Sequence, residues 1–407
     1  MNILLVNHYA GSPALGMEFR PWYLAREWRR LGHDVTIVAS SESHVRHNSV
    51  NPEGSLAEEW HDEQRYVWLR TPSYKGNGLK RALNLVAFAG QLVRHASSLR
   101  RRYRPDVVIA SSTHPLDIVG CERIARLSGA RLLYEVHDLW PLSPIELGGM
   151  SPTHPFIRLV QWGEDRAYSR SDRVVSMLPC ALPHMVSRGM ASAKWAHVPN
   201  GVDVAEWLDT TPSPPPAVAA VVVKARARGD FLVCYAGAHG IANELRTLVE
   251  AASRLADSQV RVVCIGKGPE KPALVQQAAA LKAPVTFLDA IPKRQIPATL
   301  RAMDALYVGL QPQSLFRFGI SPNKLLDYMM AGRPIIQAIT AGNDPVHSAG
   351  CGYSVPAGDV AAVADAIGRM RSLTIDERDA MGARGTAFAL KEHDYRELAQ
   401  RFLKVME

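Results

Sequence analysis

The chain has 407 residues, a length that favours two domains, each with its own core. Apolar residues make up 47% and charged residues 21%, an ordinary balance for a soluble globular chain. Five cysteines form no CxxC pair and no Cys/His cluster has metal-ligand spacing, which argues against a zinc site and for reduced thiols in a cytoplasm.

Ile3 to Val6 reads as a short buried strand. The chain enters it with no basic segment and no cleavage site, so no signal peptide is expected. No apolar run approaches the ~20 residues of a spanning helix. A loop with Gly11 and Gly16 follows, then a helix over Glu18 to Leu31 that stops at Gly32, then a strand over Asp34 to Ala39. Strand, glycine loop, helix and strand open a doubly wound α/β unit. Two glycines so far apart make no dinucleotide fingerprint.

Ser41 to Lys80 reads as polar and irregular, with Trp68 in a possible strand. Leu79 to Tyr103 reads as one amphipathic helix. The net charge of +8 is concentrated here: Arg65 to Arg104 holds ten Lys or Arg and no Asp or Glu. Aromatic residues are interleaved with these charges. Such a stretch suits an anionic membrane surface, or is a solubilising face; nucleic acid is the weakest option, because no nucleic-acid-binding motif accompanies it.

Strands are expected at Asp106 to Ala110, Arg131 to Val136 and Arg173 to Met177, with a helix over Pro155 to Arg170. His114 and His137 each stand just past a strand's C-terminal end, the edge where open α/β sheets bind ligands. Each is either a ligand contact or a plain loop residue. Thr210 to Pro216 reads as a proline-rich loop. A second series then runs through strands at Phe231 to Ala236, Val260 to Ile265, Val285 to Leu288 and Ala305 to Leu310. Helices are expected at Asn243 to Leu255 and Lys271 to Ala280.

This series ends in FRFGISPNKLLDYMMAGRP, Phe316 to Pro334. Ser321-Pro322 starts a helix, with Pro in its first turn, and Gly332 with Pro334 stops it. Asn323, Lys324 and Asp327 then lie in the first two turns, where free amides and the helix dipole favour an anion. Lys324 adds a cation, and Asp327, one turn on, suits two ribose hydroxyls. The stretch fits a nucleoside diphosphate. The plainer alternative is a capped helix with a solvated Lys and Asp.

Taken in order, several pieces resemble the bacterial GT-B glycosyltransferases of family 4 that build cell-surface polysaccharides. They are the loop with Gly16, PNGVD at Pro199 to Asp203, YAGAHG at Tyr235 to Gly240, IGKGPE at Ile265 to Glu270, SPNKLLDYMMAGRPI at Ser321 to Ile335, and GCGYSVPAGD at Gly350 to Asp359. DLWPLSPIELGGMSP at Asp138 to Pro152 looks like the O-antigen and capsule branch, nearest to amino-sugar and deoxyamino-sugar transferases. The resemblance covers essentially the whole chain. It implies two Rossmann-like doubly wound domains facing a central cleft: an acceptor domain over 1–203 and a nucleotide-sugar domain over 204–387, with a helix at about 388–407 packing back on the first.

The resemblance further implies a retaining, metal-independent transferase that needs no cofactor, with a UDP-sugar as donor and a lipid-linked or growing cell-surface glycan as acceptor. It would work in the cytoplasm at the inner face of the membrane, without nucleic acid. The chain has no Asp-X-Asp pair, in keeping with an absent metal. His137, Lys324 and Asp327 carry the implied catalytic roles. Donor contacts are implied for Gly16, Gly237, His239, Gly266, Gly268, Ile291, Arg317, Ser321 and Asn323, together with Lys324 and Asp327. His114 and Asp138 are implied on the acceptor side. The chain departs from the family at three places. Gly319 and Asp327 stand where a pair of glutamates is usual, Ala238 where an Arg is usual, and no partner Lys occurs near Asn243. Lys324, helped by Arg317, is the replacement cation. Two rival readings remain: a sugar-nucleotide 2-epimerase on the same fold, and a non-catalytic sugar-binding protein.

Overall fold

The computed structural model describes every residue except 48, 77, 209–211 and 257. The chain forms two compact units: Met1–Asn200 with Tyr395–Glu407, and Gly201–Asp394.

The first unit holds strands β1 (Asn2–Val6), β2 (Asp34–Ser40), β3 (Leu56–His61), β4 (Gln64–Leu69), β5 (Val107–Ala110), β6 (Arg131–Val136), β7 (Arg173–Ser176) and β8 (Trp195–His197). They pair in the order β3-β4-β2-β1-β5-β6-β7-β8. All neighbours are parallel except β3 and β4. The strand order reverses between β1 and β5, so the crevice beyond their C-terminal ends is where this topology places ligands. The first helix, α1 (Arg20–Arg30), buries Trp22, Tyr23, Ala25 and Trp28. Helix α2 (Leu79–Tyr103) matches the sequence expectation, and so does α3 (Pro155–Arg170).

One expectation is corrected here. The stretch 41–80 is not irregular throughout, because β3 and β4 form a hairpin. Its two-residue turn is Asp62-Glu63, both at positive φ. Glutamate is a poor marker for that backbone, so the turn was not legible in the sequence.

The second unit holds β9 (Phe231–Ala236), β10 (Val260–Ile265), β11 (Val285–Leu288), β12 (Ala305–Gly309), β13 (Ile335–Ala338) and β14 (Gly352–Val355), in the order β11-β10-β9-β12-β13-β14. All pairs are parallel. Period-two alternation along β9 splits its side chains between two cores. Leu232, Cys234 and Ala236 join one, and Phe231, Val233 and Tyr235 join the other. The order reverses between β9 and β12, which places the loops after Ala236 and Gly309 at the switch point.

Helix α4 (Pro216–Arg228) continues from the proline-rich segment, whose Thr210 and Thr211 lie outside the described residues. That helix went unread because prolines at its first turn look like loop. Helix α5 (Asn323–Met330) starts one residue later than expected, with Pro322 as its extended N-cap rather than in its first turn. Helix α6 (Ile375–His393) opens on a capping box at Thr374 and Glu377.

The last helix, α7 (Tyr395–Met406), belongs to the first unit. Tyr395, Leu398, Ala399, Phe402 and Met406 form its buried face, at helical spacing. Tyr395 stacks on Tyr23 at 4.7 Å, and Phe402 meets Trp28 edge-on at 5.2 Å. Trp28 Nε1 donates to Ala399 O at 3.1 Å. Phe402→Ala should therefore destabilise the first unit by about 3–5 kcal/mol, the usual cost of emptying a packed phenylalanine site. Hydrogen exchange at β1 and β2 reads it. Unchanged protection would mean that hydrogen bonds rather than apolar packing dock the helix.

Candidate functional site

In the second unit the site is built where α5 meets the end of β9. Leu325, Leu326, Met329 and Met330 bury one face of α5. Tyr328 fixes its position: its hydroxyl accepts from Ala236 N (2.9 Å) and donates to Ala236 O (3.2 Å). The first turn carries no acidic residue and no side-chain cap, so its amides are not answered by the cap side chain.

Lys324 leaves this turn toward the loop after β9. Its ammonium donates to Tyr235 Oη (2.7 Å) and Asn243 Oδ1 (2.8 Å), and lies 4.2 Å from the Tyr235 ring centroid. Burial pushes its pKa down to about 8, against the pull of Asp327. A Cβ at Gly237 would lie 2.7 Å from Lys324 Cε, so the lysine packs closely over this glycine.

Gly266 and Gly268 act differently from a direct ligand contact. Added Cβ atoms would meet Gly237 O at 1.9 Å and His239 O at 2.3 Å. These glycines let the loop after β10 press against the loop after β9. His239 is enclosed between them with 0% exposure, and neither ring nitrogen has a hydrogen-bond partner. Burial, with Lys271 and Lys324 nearby, pushes its pKa down to about 4, so the ring is neutral at pH 7.

Asp327, one turn beyond Lys324, is half-buried. Burial pushes its carboxyl up to about 7, opposed by Lys293, by a hydrogen bond from the Trp207 indole and by Lys324, while Glu206 adds to the rise. Lys293 pairs with Glu206 at 2.7 Å and follows half-buried Ile291 by two residues. The Ile291 loop and Asp327 are thus electrostatic neighbours. Asn323 and Arg317 are exposed and Ser321 is half-buried. Arg317 donates to Ser314 O (2.7 Å) and sits 4.2 Å from the Phe318 ring centroid. Gly319, at φ +96°, precedes a segment clamped by Asn343, which accepts from Ile320 N and donates to Ile320 O. Tyr235, Asn243, Trp207 and Lys293 were not singled out from the sequence, because an aromatic in a strand and polar loop residues carry no spacing signal.

In the first unit, His137 belongs to a buried ionic network. Arg20 and Glu135, each 1% exposed, pair at 2.9 Å. Arg20 also donates to Pro199 O (2.5 Å) and Val198 O (2.9 Å). Ser111 Oγ donates to Glu135 Oε2 (2.6 Å), leaving its own lone pairs for His137 Nε2–H at 3.0 Å. His137 Nε2 also lies 3.2 Å from Glu135 Oε2. Burial opposes the imidazolium, but Glu135 outweighs it and raises the His137 pKa. Glu135 in turn is held at about 2: burial works against its charge, and Arg20 and His137 overcome it.

His114 differs from its expected acceptor role. It is 1% exposed and both ring nitrogens are engaged: Nδ1 accepts from Leu116 N (3.3 Å) and Nε2 meets His8 Nδ1 (3.1 Å). No ring atom is left for a ligand. Burial, with Arg81 adding, pushes its pKa down to about 3. Gly16 is placed by its loop. It is buried at φ +99°, and a Cβ would meet the backbone of Arg46 and His47, so glycine serves the loop's own packing. Asp138 lines a cavity of about 790 Å³ together with Glu18, Arg81 and Trp140. Its side chain is exposed within that concave wall, where desolvation and Glu18 raise its pKa. Among the described residues, no group of three or more His, Cys, Asp or Glu side chains is arranged to hold a metal ion.

Residues 16–201 match the family model described as glycosyl transferase 4-like domain, and residues 230–372 match glycosyl transferases group 1. The putative colanic acid biosynthesis glycosyl transferase WcaI of Escherichia coli K12 is 23% identical over 263 residues. That match covers 62% of this chain and 62% of WcaI, so it spans less than two thirds of the relative. Among solved structures, Anabaena HepE in complex with UDP superposes with a TM-score of 0.67 at 14% identity, covering 99% of both chains. Sucrose-phosphate synthase from Thermosynechococcus elongatus does so with 0.70 at 16% identity, covering 99% of this chain and 98% of that one. At such identity the two structures establish the fold.

Glu135→Gln removes the charge that raises the His137 pKa while keeping the shape. The His137 pKa, followed by NMR, should fall below its wild-type value, since burial and Arg20 would then be opposed by Glu18 alone. An unmoved titration would show that Glu135 does not set the charge of His137.

Proposed function

From a chain that belongs to family 4 of the GT-B glycosyltransferases, we propose a retaining transferase that moves a hexosyl or N-acetylaminosugar unit from a UDP-sugar to a lipid-linked or growing cell-surface glycan. The observation that carries this reading is the start of α5. A partly desolvated ammonium and a first turn with no side-chain cap and no acidic residue lie together at the switch point of the second sheet. A diphosphate meets both. Asp327 accepts the ribose hydroxyls, and the Ile291 loop frames the base. UDP bound to HepE supports the choice of nucleotide. The departing UDP gains negative charge as the glycosidic bond breaks. Lys324, whose pKa is near neutrality, stabilises that charge without a metal. His137, whose pKa Glu135 raises, offers a proton donor toward sugar or acceptor hydroxyls.

The proposal places the enzyme peripherally on the cytoplasmic face of the membrane. Part of the basic stretch is spent inside the protein, since Arg65 pairs with Asp34 and Arg102 with Glu58. The rest supports membrane contact. Leu79, Leu83 and Val86 are exposed along one stripe of α2, and Arg94 and Arg101 continue it. Among the described residues, no helix is long and apolar enough to cross a membrane.

Donor binding and turnover test the site. Asp327→Asn should weaken UDP-sugar binding roughly 10- to 150-fold, the worth of a charged hydrogen bond. Wild-type affinity should fall as pH drops through about 7, where the carboxylate takes up its proton, and the variant should lose that dependence. Lys324→Ala should lower kcat more than it raises donor KM, because its charge is needed most in the transition state. All turnover should survive EDTA. Near wild-type constants in folded Asp327→Asn protein would sink the assignment.

For the membrane, replacing Arg94, Arg100 and Arg101 with Gln should lower partition onto anionic vesicles by roughly 100-fold, at ~1 kcal/mol per charge. Binding that ignores salt and these charges would contradict it.

A further inference from the structure

The two ends of α5 are held by different means. Tyr328, in the second turn, is pinned to both backbone groups of Ala236. Ahead of the first turn the chain passes through a 3-10 turn (Ser314–Phe318), bends at Gly319 (φ +96°) and reaches the extended N-cap Pro322. Within that segment Ile320 is buried, and one side chain takes both of its backbone groups. Asn343 Oδ1 accepts from Ile320 N at 2.7 Å, and Asn343 Nδ2 donates to Ile320 O at 3.0 Å. Both ends of the amide are engaged, so it fits in one orientation only. Next to it, Gly342 N donates to Phe316 O at 2.7 Å. Asn343 is itself braced by Asp344, whose Oδ1 accepts from Gln337 Nε2 (3.0 Å), Ser354 Oγ (2.8 Å) and His347 N (2.9 Å). Gln337 belongs to β13 and Ser354 to β14, so two strands reach the start of α5 through one asparagine.

We propose that Asn343 is a positioning residue for the donor diphosphate and acts through Lys324. In the structure the Lys324 ammonium donates to Tyr235 and Asn243, and so helps to hold its own turn in place. A diphosphate competes for that ammonium, because an anionic acceptor makes the stronger hydrogen bond. The turn then loses part of its hold on Tyr235 and Asn243. The clamp on Ile320 remains, and it keeps Lys324 and the first turn aimed at the phosphates. Placement at this level matters, since a shift of roughly 1 Å at a reacting group can cost ~100-fold in rate. Helix capping does not account for the clamp. Ile320 lies three residues before Asn323, so Asn343 satisfies backbone groups of the approach and not of α5 itself. The inference rests on the reading of the start of α5 as a diphosphate site, and it adds the residue that holds this start in position.

Titration calorimetry on the whole protein tests it with two probes, UDP and uridine. Wild-type protein should bind UDP at least about tenfold more tightly than uridine, the worth of one charged hydrogen bond. Asn343→Ala should weaken UDP about tenfold and leave uridine within about twofold, because Asp327 and the Ile291 loop hold the nucleoside. Asn343→Asp keeps the acceptor for Ile320 N, which protects folding, and should weaken UDP about threefold. In Lys324→Ala protein neither change at Asn343 should weaken UDP further, since the residue it positions is gone. Unchanged UDP affinity in both Asn343 variants would overturn the assignment. So would an equal loss for uridine, or a full loss that persists in the Lys324→Ala background, because a merely structural role predicts both. The wild-type comparison separates this failure from failure of the site. Wild-type protein that binds UDP no more tightly than uridine rejects the diphosphate site and this inference with it. A preserved preference for UDP in both Asn343 variants rejects the clamp alone.

Discussion

The site in the second unit depends on one close approach: the Lys324 ammonium reaches Tyr235 and Asn243 across Gly237, where an added Cβ would lie 2.7 Å from Lys324 Cε. Everything around the site follows from making that approach possible. Tyr328 pins α5 to Ala236 so that Lys324 cannot drift. Gly266 and Gly268 let the next loop close over His239, which deepens the burial. The lysine gains two neutral acceptors and an aromatic face, and the carboxylate that pulls on it, Asp327, lies one turn away on the same helix. Burial without a full counter-charge costs a cation stability, which is why its pKa falls to about 8. An incoming diphosphate would relieve that cost. The site is thus pre-arranged for a ligand rather than for its own stability.

The first unit solves the same problem in the opposite way. Arg20 and Glu135 are each 1% exposed, yet each is answered within the protein. Such a pair adds little net stability, because desolvation consumes most of its attraction. Its effect is local and electrostatic: it fixes the proton on His137 Nε2 and favours the imidazolium. A few residues away, His8 and His114 are buried without a carboxylate at hydrogen-bond distance, and both are driven neutral. Neighbouring imidazoles at one sheet edge are therefore shifted in opposite directions, upward where the ring faces Glu135 and downward where it does not.

Much of the fold was legible, because apolar runs bounded by glycine and proline locate buried parallel strands well. β6, β10 and β11, and helices α2 and α3, fall where periodicity placed them. What escaped was structure without a local signature. The β3–β4 hairpin turns on Asp62-Glu63, and α4 begins inside a proline run. At the site, Lys324 and Asp327 were legible from their helical offset, since i and i+3 share a face. Their partners were not. Arg20 and Glu135 are 115 residues apart, and nothing in spacing joins them. Gly16, Gly266 and Gly268 read as ligand contacts, but the atoms that exclude a Cβ at each belong to the protein's own loops. A glycine reports that something comes close, and only coordinates say what.

Asp327 shows where stability and the proposed function part. An unfolded aspartate titrates near 4, whereas burial holds this one at about 7 in the folded protein. The folded state binds the proton more tightly, so the contribution of this group to stability is greatest below pH 4 and is lost as pH rises toward 7. At neutral pH the protein carries a carboxylate that it would fold more readily without. Trp207, Lys293 and Lys324 each offset part of that cost, and Glu206 adds to it. A residue chosen for folding alone would be an amide or an apolar group packed under Trp207. A charged acceptor is instead kept half-buried, one turn from an incompletely neutralised lysine and beside the Ile291 loop. Two poorly compensated charges of opposite sign on one short helix are each unfavourable by themselves. They become favourable together when a single ligand presents hydroxyls to one and phosphates to the other.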